Sequence, residues 1–215
     1  MTDARTKTPR ERYRTQVRAE IKEHAWEQIA TAGASALSLN AIAKRMGMSG
    51  PALYRYFAGR DELITELVRD AYRSLADTFR AASEAGADLA GLAHALRAWA
   101  LDDPQRYLLV FGTPVPGYRA PDDVTRVAAE TMAVIIDACA ALPSDHPATP
   151  FGTYLEGHRQ WAGGHHAPPA VLHRALTVWT RLHGVLSLEL AGHFTGMRFD
   201  PSLLYDAELD GLLER

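Results

Sequence analysis

The run ALSLNAIAKRMGMSGPALYRYFAGRDEL, residues 36–63, constrains this chain more than any other stretch. Leu39, Ile42, Ala43 and Met46 recur at helical spacing, Gly47-Met48-Ser49 interrupts them, and Leu53, Tyr54 and Phe57 resume the period. Two such short helices cannot bury their apolar faces alone and need a third element to pack on. Joined by a tight turn containing Gly, they predict a helix-turn-helix, the unit that presents its second helix to the major groove of DNA.

Local signals mark the ends of these helices. Ser38 is placed to cap the first, although a capping box would want Glu or Gln at 41, where Ala41 stands. Ser49 is the equivalent cap for the second, with Pro51 in the first turn, where a missing N–H does no harm. Upstream, Val17, Ile21, Ala25 and Ile29 form one stripe of a helix expected from about Arg12 to Ala32 and ended by Gly33, completing a three-helix head. Residues 1–11 read as a flexible basic arm.

Downstream, Asp61 and Glu62 suit the positive end of a long helix whose stripe is Leu63, Leu67, Ala71, Leu75 and Phe79. Leu89, Leu92, Ala93, Leu96 and Trp99 mark another, and Asp102-Asp103-Pro104 opens a further one through Phe111. GTPVPGYRAP, residues 112–121, is a loop, followed by a helix over about Asp122–Leu142 and a second loop, PSDHPATP. A short helix is expected around Tyr154 to Trp161. The last two run over about Pro168–Phe194, with the stripe Leu172, Leu176, Trp179, His183, Leu186 and Leu190, and about Pro201–Leu213. No strand pattern appears, so the fold class is all-α.

Charge is uneven: residues 1–60 hold 11 Lys or Arg against 5 Asp or Glu, whereas the whole chain carries a net −3. A basic head on an acidic body fits a head that meets a polyanion, or a merely solvated basic arm. The single cysteine, Cys139, excludes an internal disulfide framework. The N-terminus shows no apolar segment behind its charges and no run is long enough to span a bilayer, so a soluble, cytoplasmic protein without membrane association is expected.

The segment SLNAIAKRMGMSGPALYRYFAGRDEL resembles the DNA-binding domain of the TetR family of transcriptional regulators over about residues 12–67. Ile42-Ala43, Gly47, Ser49, Leu53-Tyr54-Arg55-Tyr56-Phe57 and Asp61-Glu62-Leu63 carry the match. The resemblance implies a helix-turn-helix domain at 12–67, and a ligand-binding and dimerisation domain at 68–215 reached through the long connecting helix. Trp179, His183 and Gly184 in VWTRLHG, with DPQRYLLVFGTP, look like the subgroup whose ligand domain is named for its Trp, His and Gly. Ala41 departs from the usual acidic residue, and Ala52 stands where Ser or Thr is common.

The resemblance implies a repressor that binds a palindromic double-stranded operator as a homodimer and is released by a small apolar or amphipathic effector, with no cofactor. For the DNA face, Gly50, Pro51 and Ala52 are small enough for close approach, and Ala52 suits a thymine methyl. Tyr54 is expected on a phosphate and Tyr56 at the groove edge. Arg55 is placed either to read guanine, a contact worth roughly 1–3 kcal/mol, or to meet the backbone. Lys44, Arg45 and Arg60 are assigned to phosphates. Ser38 and Ser49 serve as caps or add phosphate contacts. Arg10, Arg12 and Arg14 either track phosphates or belong to a solvated tail.

For the body, Trp99, Tyr107, Phe111, Tyr118, Met132, Ile136, Trp161, Trp179 and His183 are candidates to line an effector cavity, each alone being ordinary core material. Gly184, Leu188, Ala191, Gly192, Leu209 and Leu212 are candidates for the dimer face. Two rival classes remain. His158, His165, His166 and His173 suggest a histidine-rich metal enzyme or metal sensor, yet no HExxH spacing or cysteine pair accompanies them, and catalysis is not expected. A helical protein-interaction module would leave the basic head unexplained.

Overall fold

The computed structural model describes residues 8–112, 115, 117–143 and 149–214, which form ten α-helices, two short 3-10 turns and no strand. The chain divides into two compact units. One comprises Met1–Leu67 with Pro114–Arg119, the other Val68–Thr113 with Ala120–Arg215.

In the first unit, α1 (Pro9–Ala32) buries Val17, Ile21, Ala25 and Ile29, the stripe read from the sequence. It begins three residues before the expected Arg12. Thr8 accepts from the Glu11 N–H while the Glu11 carboxylate accepts from the Thr8 N–H at 2.7 Å, a complete capping box with Pro9 in the first turn. Residues 8–11 are therefore cap and helix rather than arm, and the remainder of that arm lies outside the described residues. Gly33, at φ 77°, ends the helix in a backbone region closed to most side chains.

α2 (Leu39–Arg45) buries Leu39, Ile42 and Ala43; α3 (Gly50–Leu53) lasts barely one turn and inserts Leu53, with Phe57 behind it, both fully buried. Between them Gly47 sits at φ 65°. α4 (Arg60–Glu84) begins in the first unit and continues into the second, with Leu63, Leu67, Ala71, Leu75 and Phe79 all buried.

The second unit adds α5 (Leu89–Asp102), capped by Asp88, and α6 (Pro104–Phe111), capped by Asp103, then α7 (Asp122–Ala140) and α8 (Pro150–Glu156). α9 (Pro169–Leu190) and α10 (Pro201–Leu213) complete it. The helix expected at 154–161 is displaced: Thr149 caps it at Gly152, Pro150 starts it, and Gly157 ends it before a 3-10 turn at Gln160–Ala162. α9 touches α5, α6, α7, α8 and α10. That many neighbours widen its buried face to Val171, Leu172, Ala175, Val178, Leu182, Val185 and Leu186, while Leu176, Trp179, His183 and Leu190 from the expected stripe are only half-buried. Arg69 of α4 and Asp123 of α7 pair at 2.7 Å, holding that carboxyl below its ordinary range, first through the arginine hydrogen bond.

Candidate functional site

The first unit presents Pro51, Tyr54 and Arg55 to solvent from a rigidly packed base, because Leu53 and Phe57 on the opposite side are fully buried. Tyr54 is 47% exposed and Tyr56 half-buried, so the two tyrosines face different surroundings, although both lie in the turn after α3 and not on the helix the sequence led us to expect. Ser49 makes no capping bond through its side chain, which leaves its exposed hydroxyl uncommitted. Ser38 does cap, accepting from Ala41 N–H at 3.3 Å. A Cβ at Gly50 would meet only Asn40 Oδ1, at 3.4 Å, an ordinary van der Waals contact among the described residues. Ala52 is half-buried beside it.

The cations divide into two groups. Lys44, in the last turn of α2, is exposed with no ion pair among the described residues, and Arg45 is exposed while pairing Glu27 at 2.7 Å. Arg60 is committed elsewhere. Its guanidinium donates to the carbonyls of Ala34 and Ser35 at 2.9 and 3.2 Å and lies 3.9 Å from Asp61, so it has structural partners beside the phosphate role expected of it. The Ala34 carbonyl also accepts from the Leu37 N–H at 3.3 Å, so Arg60, at the start of α4, adds a second bond there and supplies a donor to Ser35. Arg10, Arg12 and Arg14 lie on the first turns of α1, with Arg14 donating to the Arg55 carbonyl at 3.4 Å.

Two structural residues, Gln28 and Arg18, escaped the sequence reading, and Arg14 has a backbone partner that the reading did not foresee. The Gln28 amide brackets the Ser38 backbone, accepting from its N–H at 2.9 Å and donating to its carbonyl at 3.4 Å, which places the start of α2. Arg14 and Arg18, one turn apart on α1, reach the carbonyls of Arg55 and Tyr56. Their i, i+4 spacing was visible in the sequence; their partners were not.

In the second unit an aromatic cluster surrounds His183. The imidazole stacks on Tyr107 at 5.5 Å and lies 4.4 Å from Phe111 and 3.9 Å from Trp179, ring centre to ring centre. The Tyr107 hydroxyl meets His183 Nδ1 and Ser187 Oγ, both at 2.9 Å. His183 Nε2 is buried without a partner, and burial pushes the imidazole pKa down to about 3, so it is neutral. Trp99 Nε1 donates to Ser74 Oγ at 3.1 Å.

These side chains form packed core rather than the walls of an open chamber. Tyr107, Met132, Ile136 and Trp99 belong to one buried cluster, with Phe111, Trp161 and Trp179 against it. A void among the described residues of this unit, with room for about one water molecule, is lined by Phe79, Leu89, Leu92, Ala93, Leu96, Ile135, Val178, Trp179 and Leu182. Of the expected liners only Trp179 reaches it. Tyr118 falls in the first unit, its hydroxyl buried and unpartnered. The aliphatic residues closing the void were missed because they read as plain core.

The proposed dimer residues separate in the same way. Gly184, Ala191 and Gly192 are exposed and Leu188 is 45% exposed, whereas Leu209 and Leu212 are buried in their own chain's core. The last two are corrected to core: α10 turns them onto α5 and α9 and leaves Leu203 outward at 67% exposure. Of the histidines, His158 bonds the Tyr154 carbonyl, His165 pairs Asp137, and His173 meets Thr149 Oγ1. No three potential ligands converge among the described residues. No described helix is long and apolar enough to cross a membrane.

Comparison with known proteins matches residues 21–67 to the family described as bacterial regulatory proteins, tetR family, and residues 89–212 to the tetracyclin repressor-like C-terminal domain. HTH-type transcriptional regulators Rv1816 of Mycobacterium tuberculosis and Mb1846 of Mycobacterium bovis are each 38% identical over 211 residues, covering 91% of this chain and 90% of theirs. The crystal structure of the regulatory protein SCO4313, so designated by proposal, is 76% identical with a TM-score of 0.90, covering 97% of this chain and 100% of that one. A protein of unknown function from Rhodococcus sp. RHA1 shares the fold at 20% identity, TM-score 0.67, covering 100% of this chain and 98% of its own.

Proposed function

The chain belongs to the TetR family of DNA-binding transcriptional regulators, and on that premise we propose that it is a repressor binding a palindromic operator as a homodimer and released by a small apolar or amphipathic effector. The observation that carries the DNA half is the outward row of Pro51, Tyr54 and Arg55, flanked by the uncommitted Ser49 hydroxyl and Lys44 ammonium. Tyr54, Ser49, Lys44 and Arg45 take phosphates; Arg55, Ala52 and the groove-edge Tyr56 meet bases or the adjacent backbone; Gly50 and Pro51 admit the close approach. Ser38 and Arg60 hold the unit together instead.

A single helix-turn-helix makes few base contacts, and a two-fold pair doubles them on a palindrome. Leu188, Met197, Phe199 and Leu203 are large apolar side chains left 45%, 62%, 41% and 67% exposed at the end of the chain, with Gly184, Ala191 and Gly192 allowing close helix approach. A second copy of the same surface buries them.

The effector enters the second unit by opening the void beside Trp179, its apolar part replacing lost contacts and a polar group reaching His183 Nε2. It then favours a conformation in which α4, shared by both units, no longer holds the recognition segments at operator spacing. A gel shift with the duplex upstream of the chain's own coding region, titrated with apolar and amphipathic compounds, tests the reading. Retardation reversed by a compound is expected. No retardation, or retardation no compound alters, overturns the first or the second half respectively.

A further inference from the structure

Arg18 joins three elements of the first unit although its side chain remains 26% exposed. Its guanidinium lies 4.0 Å above the Phe57 ring, Nη1 donates to the Tyr56 carbonyl, and the carboxylates of Glu62 and Glu66 stand at 3.7 and 3.6 Å. Glu62 and Glu66 are four residues apart on α4 and so present one face to α1. Glu62 also accepts from the Ala58 N–H at 2.6 Å, which fixes it at the start of α4.

The atoms Arg18 and Arg14 reach are significant. α3 is four residues long, so the carbonyls of Arg55 and Tyr56 come where helical hydrogen bonding ends, and cations are favoured at such an end. A guanidinium whose face is stacked and whose edges are shared between a carbonyl and two carboxylates is held in one orientation. Those are also the N–H edges a phosphate would need.

We propose that Arg18 is a positioning residue: it fixes the orientation in which Tyr54, Arg55 and Tyr56 are presented, and it ties that orientation to the first two turns of α4 through Glu62 and Glu66. The inference rests on the reading that this segment contacts DNA. It goes beyond that reading by naming the side chain through which α4 and the segment communicate. A shift of α4 that carries Glu62 and Glu66 away from α1 loosens the hold on the Tyr56 carbonyl, and the presented side chains lose their common orientation.

The test uses the full chain with Arg18→Gln, Arg18→Lys and Glu66→Gln, a duplex selected from random sequence by the wild-type protein, and a random duplex of equal length. Affinities are measured across a salt series, and amide hydrogen exchange is followed in the free protein at Tyr56 and Phe57, whose N–H groups both bond the Leu53 carbonyl. Arg18→Gln is expected to lose about tenfold or more on the selected duplex, with unchanged affinity for the random duplex and an unchanged salt slope. Exchange at Tyr56 and Phe57 should rise while Ile21 and Ala25 of α1 stay protected, and Arg18→Lys should restore part of the affinity. Glu66→Gln, which leaves Arg18 in place, should lose about threefold and decides the matter if Arg18→Gln does not fold. Full affinity in the variants, or a salt slope lowered by about one with both duplexes weakened, overturns the proposal; the second result would make Arg18 a phosphate ligand. If the wild-type protein selects no duplex, the DNA reading fails, and unchanged exchange at Tyr56 and Phe57 then overturns the positioning role independently.

Discussion

The two units solve the problem of closing a helical fold differently. The first ties its short helices and turns with long polar side chains on backbone carbonyls: Arg14 and Arg18 on Arg55 and Tyr56, Arg60 on Ala34 and Ser35, Gln28 on Ser38, the Ala34 and Ser38 carbonyls accepting backbone N–H groups as well. The second relies on a broad apolar core around α9 and buries most of the unpartnered polar atoms among the described residues, His183 Nε2, Trp161 Nε1 and Arg97 Nε among them, against the Tyr118 hydroxyl in the first. The difference teaches where each unit can change. A unit tied by specific polar contacts holds one surface geometry, whereas one with unpaired polar groups inside a closed core gains when something enters and pairs them.

The contrast is broken most severely by removing the small apolar base of the first unit. Phe57→Ala should cost about 3–5 kcal/mol and abolish operator binding with it, measured by denaturant unfolding and gel shift. If the loss is under about 1 kcal/mol, the polar ties alone sustain that unit and the comparison needs redrawing.

A second intervention acts on the buried imidazole. His183 is pushed from 6.5 to about 3 by burial, so the unfolded chain binds its proton at a higher pH than the folded one. Stability should therefore fall as pH drops from about 6.5 toward 3, by up to about 1.4 kcal/mol per unit from this group, and be flat above. Unfolding curves over that window should lose this component in His183→Phe. Persistence of the full slope in the variant would place its origin elsewhere.

Tyr107→Phe sharpens the same point at smaller cost. It strips His183 Nδ1 and Ser187 Oγ of their shared partner and should destabilise the protein by about 1–3 kcal/mol. DNA affinity of the folded protein should hold if the hydroxyl serves only the second unit. The mildest test is Lys44→Ala, which should leave stability within about 0.5 kcal/mol yet lower the salt slope of DNA binding by about one.

The reading from residues succeeded where the relevant forces act within one helical turn. The stripe on α1, the break at Gly47, the Asp103-Pro104 start of α6 and the Pro201–Leu213 helix all follow from periodicity and capping, which span three or four residues. The start of α1 was misplaced because apolar period, not the Thr8 capping box, was followed. The interior of the second unit was less legible: Trp99, Tyr107, Met132 and Ile136 carry no mark in the sequence that separates a cavity wall from a packed core.

What the sequence determined by itself is the all-α class and the helix-turn-helix segmentation at residues 36–63. Tertiary structure decided which cations are exposed and which are structural, that Leu209 and Leu212 close the monomer while Leu188 and Leu203 face out, and that His183 meets Tyr107 with its Nε2 buried. Arg18 finds Tyr56 across 38 residues and Tyr107 finds His183 across 76. Local propensity fixes the helices; only their packing brings such distant side chains together, so which side chains tie the fold and which stay exposed is settled after the helices have met.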